Sequence, residues 1–206
     1  MFSQVRVELE QYATWLLDRV ATARADHLLQ EVRLRLRQLE WIFDRCMELD
    51  RKFQVEALQS LPDKSSPPNV VKQIFHEQSI QDSDPITQAS LPFQPHDELW
   101  VLLESFYYSA HRVRDILRDN KRDLPGVSNF ESVGVRVARN HLVEHTARSG
   151  GVAVPSIACG GPVGPQLRSV RWSLDPKGSA DPGLRANALE FVSRLTQALS
   201  GARSAA

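Results

Sequence analysis

Apolar residues recur at steps of three and four along the first 59 residues, which is the spacing of amphipathic helices. No glycine or proline interrupts the chain from Val5 to Leu58. The pattern loses phase across "ATARADH" and predicts two helices, at about 3–24 and 27–59, with one bent helix as the alternative. The apolar positions are Val5, Leu9, Tyr12, Leu16 and Val20, then Leu28, Val32, Leu36, Leu39, Phe43, Cys46, Leu49 and Phe53.

A linker is predicted at 61–95, where prolines recur and only "NVVKQIFHEQ" could form a short helix, capped by Asn69. A third helix is predicted at about 97–119. Trp100, Tyr107 and His111 lie about a hundred degrees from its apolar stripe and predict a second surface that packs against another helix. The stripe consists of Leu99, Leu102, Leu103, Phe106, Ala110, Val113 and Leu117.

A fourth helix is predicted to begin at a capping box, in which Ser128 is followed three residues later by Glu131, and to end near His145. Helical geometry places Arg139 on the side opposite the stripe of this helix. The stripe starts apolar and turns polar in its last turn, and it consists of Phe130, Val133, Val137, His141, Glu144 and His145.

The helical periodicity stops at the start of the C-terminal quarter of the chain. "GVAVPSIACG" and "QLRSVRW" are short β-prone runs that predict a hairpin or two edge strands. A last helix is predicted from Leu184, Ala188, Phe191, Leu195 and Leu199. The predicted fold class is therefore mainly α, a helical bundle with a small C-terminal β-hairpin and a final helix. One elaborated domain is expected over 1–206, with long helices at 1–60, a linker at 61–95, a motif helix pair at 96–148, and the hairpin and last helix at 149–206.

Charge and composition narrow the function only slightly. Lysines and arginines balance aspartates and glutamates at 25 each, so any contact with nucleic acid must be local. The N-terminus carries acidic residues and no cleavage site typical of a signal peptide, and prolines interrupt the longest uncharged run. We therefore expect a cytoplasmic protein without a membrane span. Two cysteines, Cys46 and Cys159, fit reduced thiols better than a disulfide framework.

The segment "RNHLVEH", residues 139–145, is the main candidate for chemistry, and two interpretations follow from its residues alone. It could be a polar helix end, because histidine near a helix C-terminus interacts favourably with the dipole. It also spells a zinc-type His-x-x-Glu-His, in which His141 and His145 bind the metal and Glu144 is the base. A catalytic zinc needs a third protein ligand, and downstream of His145 the sequence has one glutamate, Glu190, and no histidine. We therefore expect no metal and no cofactor.

A third interpretation rests on Arg139, Asn140 and His145, which resemble the Arg-polar-spacer-His motif of the HEPN superfamily. The segments "DELWVLLESFYYSAHRVRDIL" and "SNFESVGVRVARNHLVEH" are similar to the last two bundle helices of such proteins. The resemblance implies that arginine and histidine from two subunits meet across a dimer interface and cleave RNA without a metal. Arg139 would then stabilise phosphate charge, His145 would serve as acid or base, and Asn140 would orient them.

The sequence thus favours a HEPN-like helical protein acting as a metal-independent, RNA-directed factor of a defence or toxin type. The alternative is a non-catalytic structural or interaction module of unknown partner. A homodimer is expected in either case, because the stripes from Val5 to Phe53 extend further than one short bundle needs to cover. The aromatic flank of Trp100, Tyr107 and His111 is expected to add to that interface.

Overall fold

The computed structural model describes residues 1–20, 22–60, 95–143, 154–159, 167–173 and 183–204. For 53–60, 95–97, 100, 141–143 and both strands, only the backbone is described. Within these ranges the chain is mainly α-helical, as its periodicity predicts. The elements in chain order are α1 (Phe2–Leu17), α2 (Ala23–Ser60), α3 (Pro95–Asp119), α4 (Val133–Val143), β1 (Val154–Cys159), β2 (Leu167–Ser173) and α5 (Gly183–Ser204).

The break between α1 and α2 confirms two helices and excludes one bent helix, but it comes earlier than predicted. The amides of Arg19 and Val20 both donate to the carbonyl of Leu16, at 2.9 and 2.7 Å, and this closes α1. The Thr22 hydroxyl then accepts a hydrogen bond from the Ala25 amide at 3.1 Å. Threonine is a favoured N-cap because its oxygen satisfies an amide that has no partner within the helix. Thr22 is therefore the residue that starts α2.

Helix α1 lies against one flank of α2, and ion pairs fix their register. Arg33 contacts Glu10 through two hydrogen bonds of 2.7 Å, and Arg6 lies 2.7 Å from Glu40. The higher numbers on α2 pair with the lower numbers on α1, so the two helices are antiparallel. The hydrogen bonds from Arg33 lower the pKa of the Glu10 carboxyl, and half of the Glu10 side chain stays in contact with solvent.

Helix α3 lies against the other flank of α2 and is also antiparallel to it. Arg45 contacts Glu98 at 2.6 Å near one end of the pair, and Arg112 contacts Glu31 at 3.1 Å near the other. The hydrogen bonds from Arg45 lower the pKa of the Glu98 carboxyl. Because the two contacts lie fourteen residues apart on each helix, they define a long, regular seam between α2 and α3.

The predicted apolar stripes of α1, α2, α3 and α5 are confirmed at nearly every position whose side chain is described. Their residues form one hydrophobic core, with Val20 partly buried beside it. Where their side chains are described, these stripes are consequently covered within one chain, and the predicted homodimer stays a prediction. The largest fully buried side chains include Tyr12, Tyr107, Phe2, Phe106 and Phe191.

The turn between α3 and α4 packs between α1 and α5. The Tyr12 hydroxyl donates a hydrogen bond to the carbonyl of Pro125 at 2.9 Å, and burial raises the pKa of this phenol. The next residue, Gly126, has φ of 82° and lies so close to α5 that an added Cβ would come within 2.6 Å of the Ala202 Cβ. Only glycine fits both the backbone angle and this approach.

The two strands pair in antiparallel fashion, with Val154 opposite Ser173 and Cys159 opposite Leu167. Residues 160–166, which connect them, lie outside the described residues, so the hairpin itself stays a prediction. The short helix predicted after Asn69 also lies outside them, as does most of the linker at 61–95.

Two further expectations can be compared with the described part of the chain. Cys46 is buried with a free thiol, which fits the predicted reduced state of this cysteine. Burial raises the pKa of the thiol to about 12. Among the helices that the structure describes, none combines the length and the apolar composition needed to cross a bilayer.

Two leucines on α5 test the core. Leu195 is fully buried, and Leu189 has half of its surface exposed. Leu195→Ala is expected to lower the free energy of unfolding by about 2–5 kcal/mol, because it leaves a cavity. The control, Leu189→Ala, is expected to stay within about 0.5 kcal/mol of the parent protein. Urea denaturation measures both, and equal effects would contradict the placement of α5.

Candidate functional site

The motif helix α4 begins at Val133, so its N-cap lies four residues after the predicted one, and the capping box of Ser128 and Glu131 is wrong. The N-cap position is Ser132, whose carbonyl accepts the first helical hydrogen bond, from the Arg136 amide at 3.1 Å. The residues before it form a turn closed by the Phe130 amide and the Val127 carbonyl, also at 3.1 Å. Burial explains this conformation, because the buried Phe130 ring packs edge-on against Phe191 of α5.

The N-terminus of α4 is capped by Glu190, which comes from α5. One carboxylate oxygen accepts the Val133 amide at 3.1 Å, and the other accepts the Gly134 amide at 3.0 Å and the Ser132 hydroxyl at 3.3 Å. A carboxylate at this end of a helix satisfies amides that have no partner within the helix and interacts favourably with the dipole. The cap therefore joins the motif helix to the last helix of the bundle.

A second buried contact holds the same turn. Asn187 of α5 is buried, and its side-chain amide donates to the Tyr107 hydroxyl of α3 at 2.9 Å. A Cβ on Gly134 would come within 2.2 Å of the Asn187 side-chain oxygen, so α4 can approach α5 only because this residue is glycine. The predicted packing role of Tyr107 is therefore confirmed, within a single chain.

The predicted stripe of α4 is wrong at Val133 and Val137, which are both exposed. The buried residues are Val135 and Ala138. The close approach at Gly134 explains the difference, because it turns that side of α4 toward α5 and moves Val133 and Val137 toward solvent.

Charged side chains connect α3 to the start of α4. Glu131 contacts Arg114 of α3 at 2.7 Å and Arg136 of α4 at 3.3 Å. Arg114 also contacts Asp115 at 3.2 Å, and the second oxygen of Asp115 lies 3.1 Å from Nδ1 of His111. This chain of contacts shows that the edge of α4 bearing Arg136 faces α3.

Arg139 and Asn140 belong to the same edge, because they follow Arg136 by three and four residues. Both are half-buried, and Nη1 of Arg139 donates to the Asn140 side-chain oxygen at 3.3 Å. We call this set of seven residues the α3–α4 edge, and it consists of His111, Arg114, Asp115, Glu131, Arg136, Arg139 and Asn140.

The rest of the motif is not placed. Glu144 and His145 lie outside the described residues, and His141 is described through its backbone alone. Of the predicted catalytic residues, the structure therefore describes the side chains of Arg139 and Asn140 but not that of His145. The alternative metal set of His141, Glu144 and His145 is not seen. Within the described residues, no group of three or more histidine, cysteine or acidic side chains could hold a metal ion.

The α3–α4 edge carries three arginines and two carboxylates, so its local balance is basic although the chain is neutral. Guanidinium groups on a helix edge suit contact with phosphate. His111 and Asp115 are not predicted as a pair from the sequence, although their spacing of four residues is that of neighbours on a helix. The ion pair between Arg114 and Glu131 cannot be predicted from helical spacing, because the two residues are 17 apart in the sequence.

Comparisons of the chain with protein families, with curated proteins and with solved structures found no match.

Two helical glycines test the contact that positions α4. Gly134→Ala is expected to lower the free energy of unfolding by about 1–3 kcal/mol, because the added methyl group collides with Asn187. Gly201→Ala is the control, since a Cβ there meets nothing within 4 Å, and it should stabilise α5 by about 0.5–1 kcal/mol. Thermal or urea unfolding measures the change in the free energy of unfolding for both variants, and a stabilising Gly134→Ala would contradict the packing of α4 on α5.

The metal alternative is tested by elemental analysis of the purified protein. We expect no stoichiometric zinc, because a third ligand to accompany His141 and His145 is missing from the sequence that follows. One zinc per chain, lost in His141→Ala and in His145→Ala, would reverse this ranking.

Proposed function

We propose that this protein is a HEPN-like helical bundle that acts on RNA without a metal ion, through the α3–α4 edge. The observation that carries the proposal is the position of Arg139 and Asn140 on the same edge of α4 as Arg136. In this proposal the paired strands β1 and β2 are the arms of one hairpin that follows the motif helix.

The chemistry assigned to the motif follows from its side chains. Arg139 binds the scissile phosphate and stabilises the charge that develops on it. His145 acts as acid or base near neutral pH, and Asn140 holds the guanidinium through the contact at 3.3 Å. The 2′-hydroxyl of RNA gives up its proton and attacks the adjacent phosphate, and the 5′-oxygen of the next nucleotide leaves and takes up a proton. A cyclic phosphate forms, so no metal-bound water is needed as the nucleophile.

Geometry favours a site shared between two copies. Arg139 and His145 are six residues apart, which on a continuous helix places them about 120° apart around the axis. One copy of α4 cannot easily direct both side chains at one phosphate. Two copies related by a twofold axis can, with Arg139 from one copy and His145 from the other.

The test is cleavage of structured and unstructured RNA by the purified protein in the presence of a chelator. Arg139→Ala and His145→Ala are each expected to reduce cleavage by at least about 100-fold, the usual loss for a group that acts in the transition state. The matched control is His141→Ala, which lies on the same helix and should leave cleavage unchanged. Circular dichroism establishes that the variants remain folded.

Several outcomes would contradict this proposal. If the wild-type protein leaves all RNA intact at high concentration, ribonuclease activity is excluded. If a chelator abolishes cleavage, the metal-independent mechanism is excluded. Equal losses in His141→Ala and His145→Ala would favour a metal site over the Arg-to-His motif.

The second candidate function is a non-catalytic interaction module. It is favoured by a separate observation, a group of exposed apolar side chains on α2 and α3, away from α4. A soluble protein rarely exposes such a group unless it is covered by a partner.

A further inference from the structure

Four large apolar side chains project from the outer surface of α2 and α3. Their exposed fractions are 59% for Leu34, 63% for Trp41, 49% for Val101 and 58% for Tyr108. Leu34 and Trp41 are seven residues apart on α2, and Val101 and Tyr108 are seven residues apart on α3. Seven residues make about two helical turns, so the two residues on each helix share one face. We call these four residues the α2–α3 patch.

The ion pairs of the seam place the two halves of the patch side by side. Because Arg45 meets Glu98 and Glu31 meets Arg112, interpolation along the antiparallel helices puts Trp41 level with Val101, to within one residue. The same interpolation puts Leu34 level with Tyr108.

All four side chains also lie on the same side of the helix pair. On α2, Trp41 comes four residues before the seam residue Arg45, and on α3, Val101 comes three residues after the seam residue Glu98. Residues at these steps are neighbours on a helix surface, and all four members of the patch are exposed. The patch is therefore continuous across the seam.

Its size and composition are those of a contact surface. At ~150–250 Å² per aromatic side chain, Trp41 and Tyr108 alone expose on the order of 250 Å². With Leu34 and Val101 the patch reaches several hundred Å², about the largest that a soluble monomer usually carries. Two such faces would bury on the order of 1,000 Å², the area at which specific protein interfaces begin.

Charges beside the patch indicate what covers it. Arg37 lies between Leu34 and Trp41 along α2, on the side away from the seam, and Glu104 occupies the equivalent place between Val101 and Tyr108 on α3. Both are exposed, and within the part of the chain that the structure describes neither is in an ion pair. Between its two pairs of apolar residues the patch thus has a basic residue on its α2 flank and an acidic residue on its α3 flank, level to within two residues, and the exposed Asp44 lies beyond Trp41 at one end.

Only one of two simple twofold arrangements uses these charges favourably. If the twofold axis runs parallel to the helices, above the seam, α2 of each copy lies over α3 of the other. Arg37 of each copy then faces Glu104 of the other, and Trp41 of each copy lies over Val101 of the other. If the axis runs across the helices, Arg37 faces Arg37 and Glu104 faces Glu104, which is repulsive.

We propose that a second copy of this chain covers the α2–α3 patch, with a twofold axis parallel to α2 and α3 and with reciprocal Arg37–Glu104 ion pairs. This interface is self-complementary, as a closed dimer requires. It differs from the dimer expected from the sequence, whose stripes are buried inside each chain.

The proposal is independent of RNA cleavage. Helix α4 flanks α3 on the side away from α2, so pairing through the patch does not bring the two α4 helices together. The shared RNA site of the proposed function is therefore a separate contact between copies that forms on RNA, and pairing through the patch is measured without RNA. Loss of pairing and loss of cleavage can therefore be measured separately, and the failure of one leaves the other standing.

The first experiment measures mass against concentration by analytical ultracentrifugation on the full chain. The wild type is expected to be a dimer at micromolar concentration. Trp41→Ala should raise the dissociation constant at least about 10-fold, as loss of a central aromatic anchor does. The matched control is Leu189→Ala, which removes an equally exposed apolar side chain from α5 and should leave the dissociation constant unchanged. Both side chains are exposed in one chain, so the melting temperature of diluted monomer should shift by no more than about 2 °C.

The second experiment tests the direction of the axis by charge reversal. Arg37→Glu and Glu104→Arg are each expected to weaken the dimer about 10-fold, because each puts like charges in contact. The double variant restores the opposite charges and should return the dissociation constant to within about 3-fold of wild type.

Each contrary result overturns the proposal. A wild type that stays monomeric up to about 100 µM shows that no second copy covers the patch, and leaves the patch to a different protein or to another segment of the chain. A dimer that Trp41→Ala does not weaken forms through another surface. Single reversals that weaken the dimer without rescue in the double variant exclude the parallel axis.

Discussion

The long buried stripe of α2 is the constraint on which the rest of the bundle depends. A helix of 38 residues with one apolar face needs cover on both sides, and α1 and α3 supply it as antiparallel neighbours. The ion pairs along both flanks lie in or near solvent, where each stabilises by only about 0–1 kcal/mol. Burial of the stripe therefore drives assembly, and pairs such as Arg33–Glu10 and Arg45–Glu98 select the register. The candidate site and the α2–α3 patch both take their positions from that register.

Helix α5 then closes the bundle by contacting both its first and its fourth helix. Near its C-terminal end, Arg203 forms an ion pair with Glu8 of α1. Near its start, Asn187 and Glu190 contact α3 and the beginning of α4. One helix thus fixes the motif helix relative to the rest of the core. The mainly basic edge around Arg139 is consequently held by polar contacts as well as by apolar packing.

Periodicity was sufficient to predict the helices whose faces are set by burial alone. The stripes of α2 and α5 could be read from the sequence because each repeats over several turns. The start and the orientation of α4 could not, because they depend on Glu190, which lies 57 residues further along the chain from Val133. Glu131 looked like a local cap, yet its carboxylate binds Arg114 and Arg136. Residue types and spacing are enough to name Arg139 and Asn140 as candidates, whereas their neighbours on α3 follow only from the packing.

The cap provided by Glu190 has a consequence for the order in which the protein matures. The chain emerges from the ribosome N-terminus first, so α1, α2 and α3 can associate while α5 is still being made. Helix α4 cannot receive its carboxylate cap, nor can Gly134 meet Asn187, until the ribosome has passed the first turns of α5. The edge that carries Arg139 is therefore completed after most of the bundle has formed. A nascent or prematurely terminated chain would lack the buried residues of α5 and would have a motif helix without its anchor.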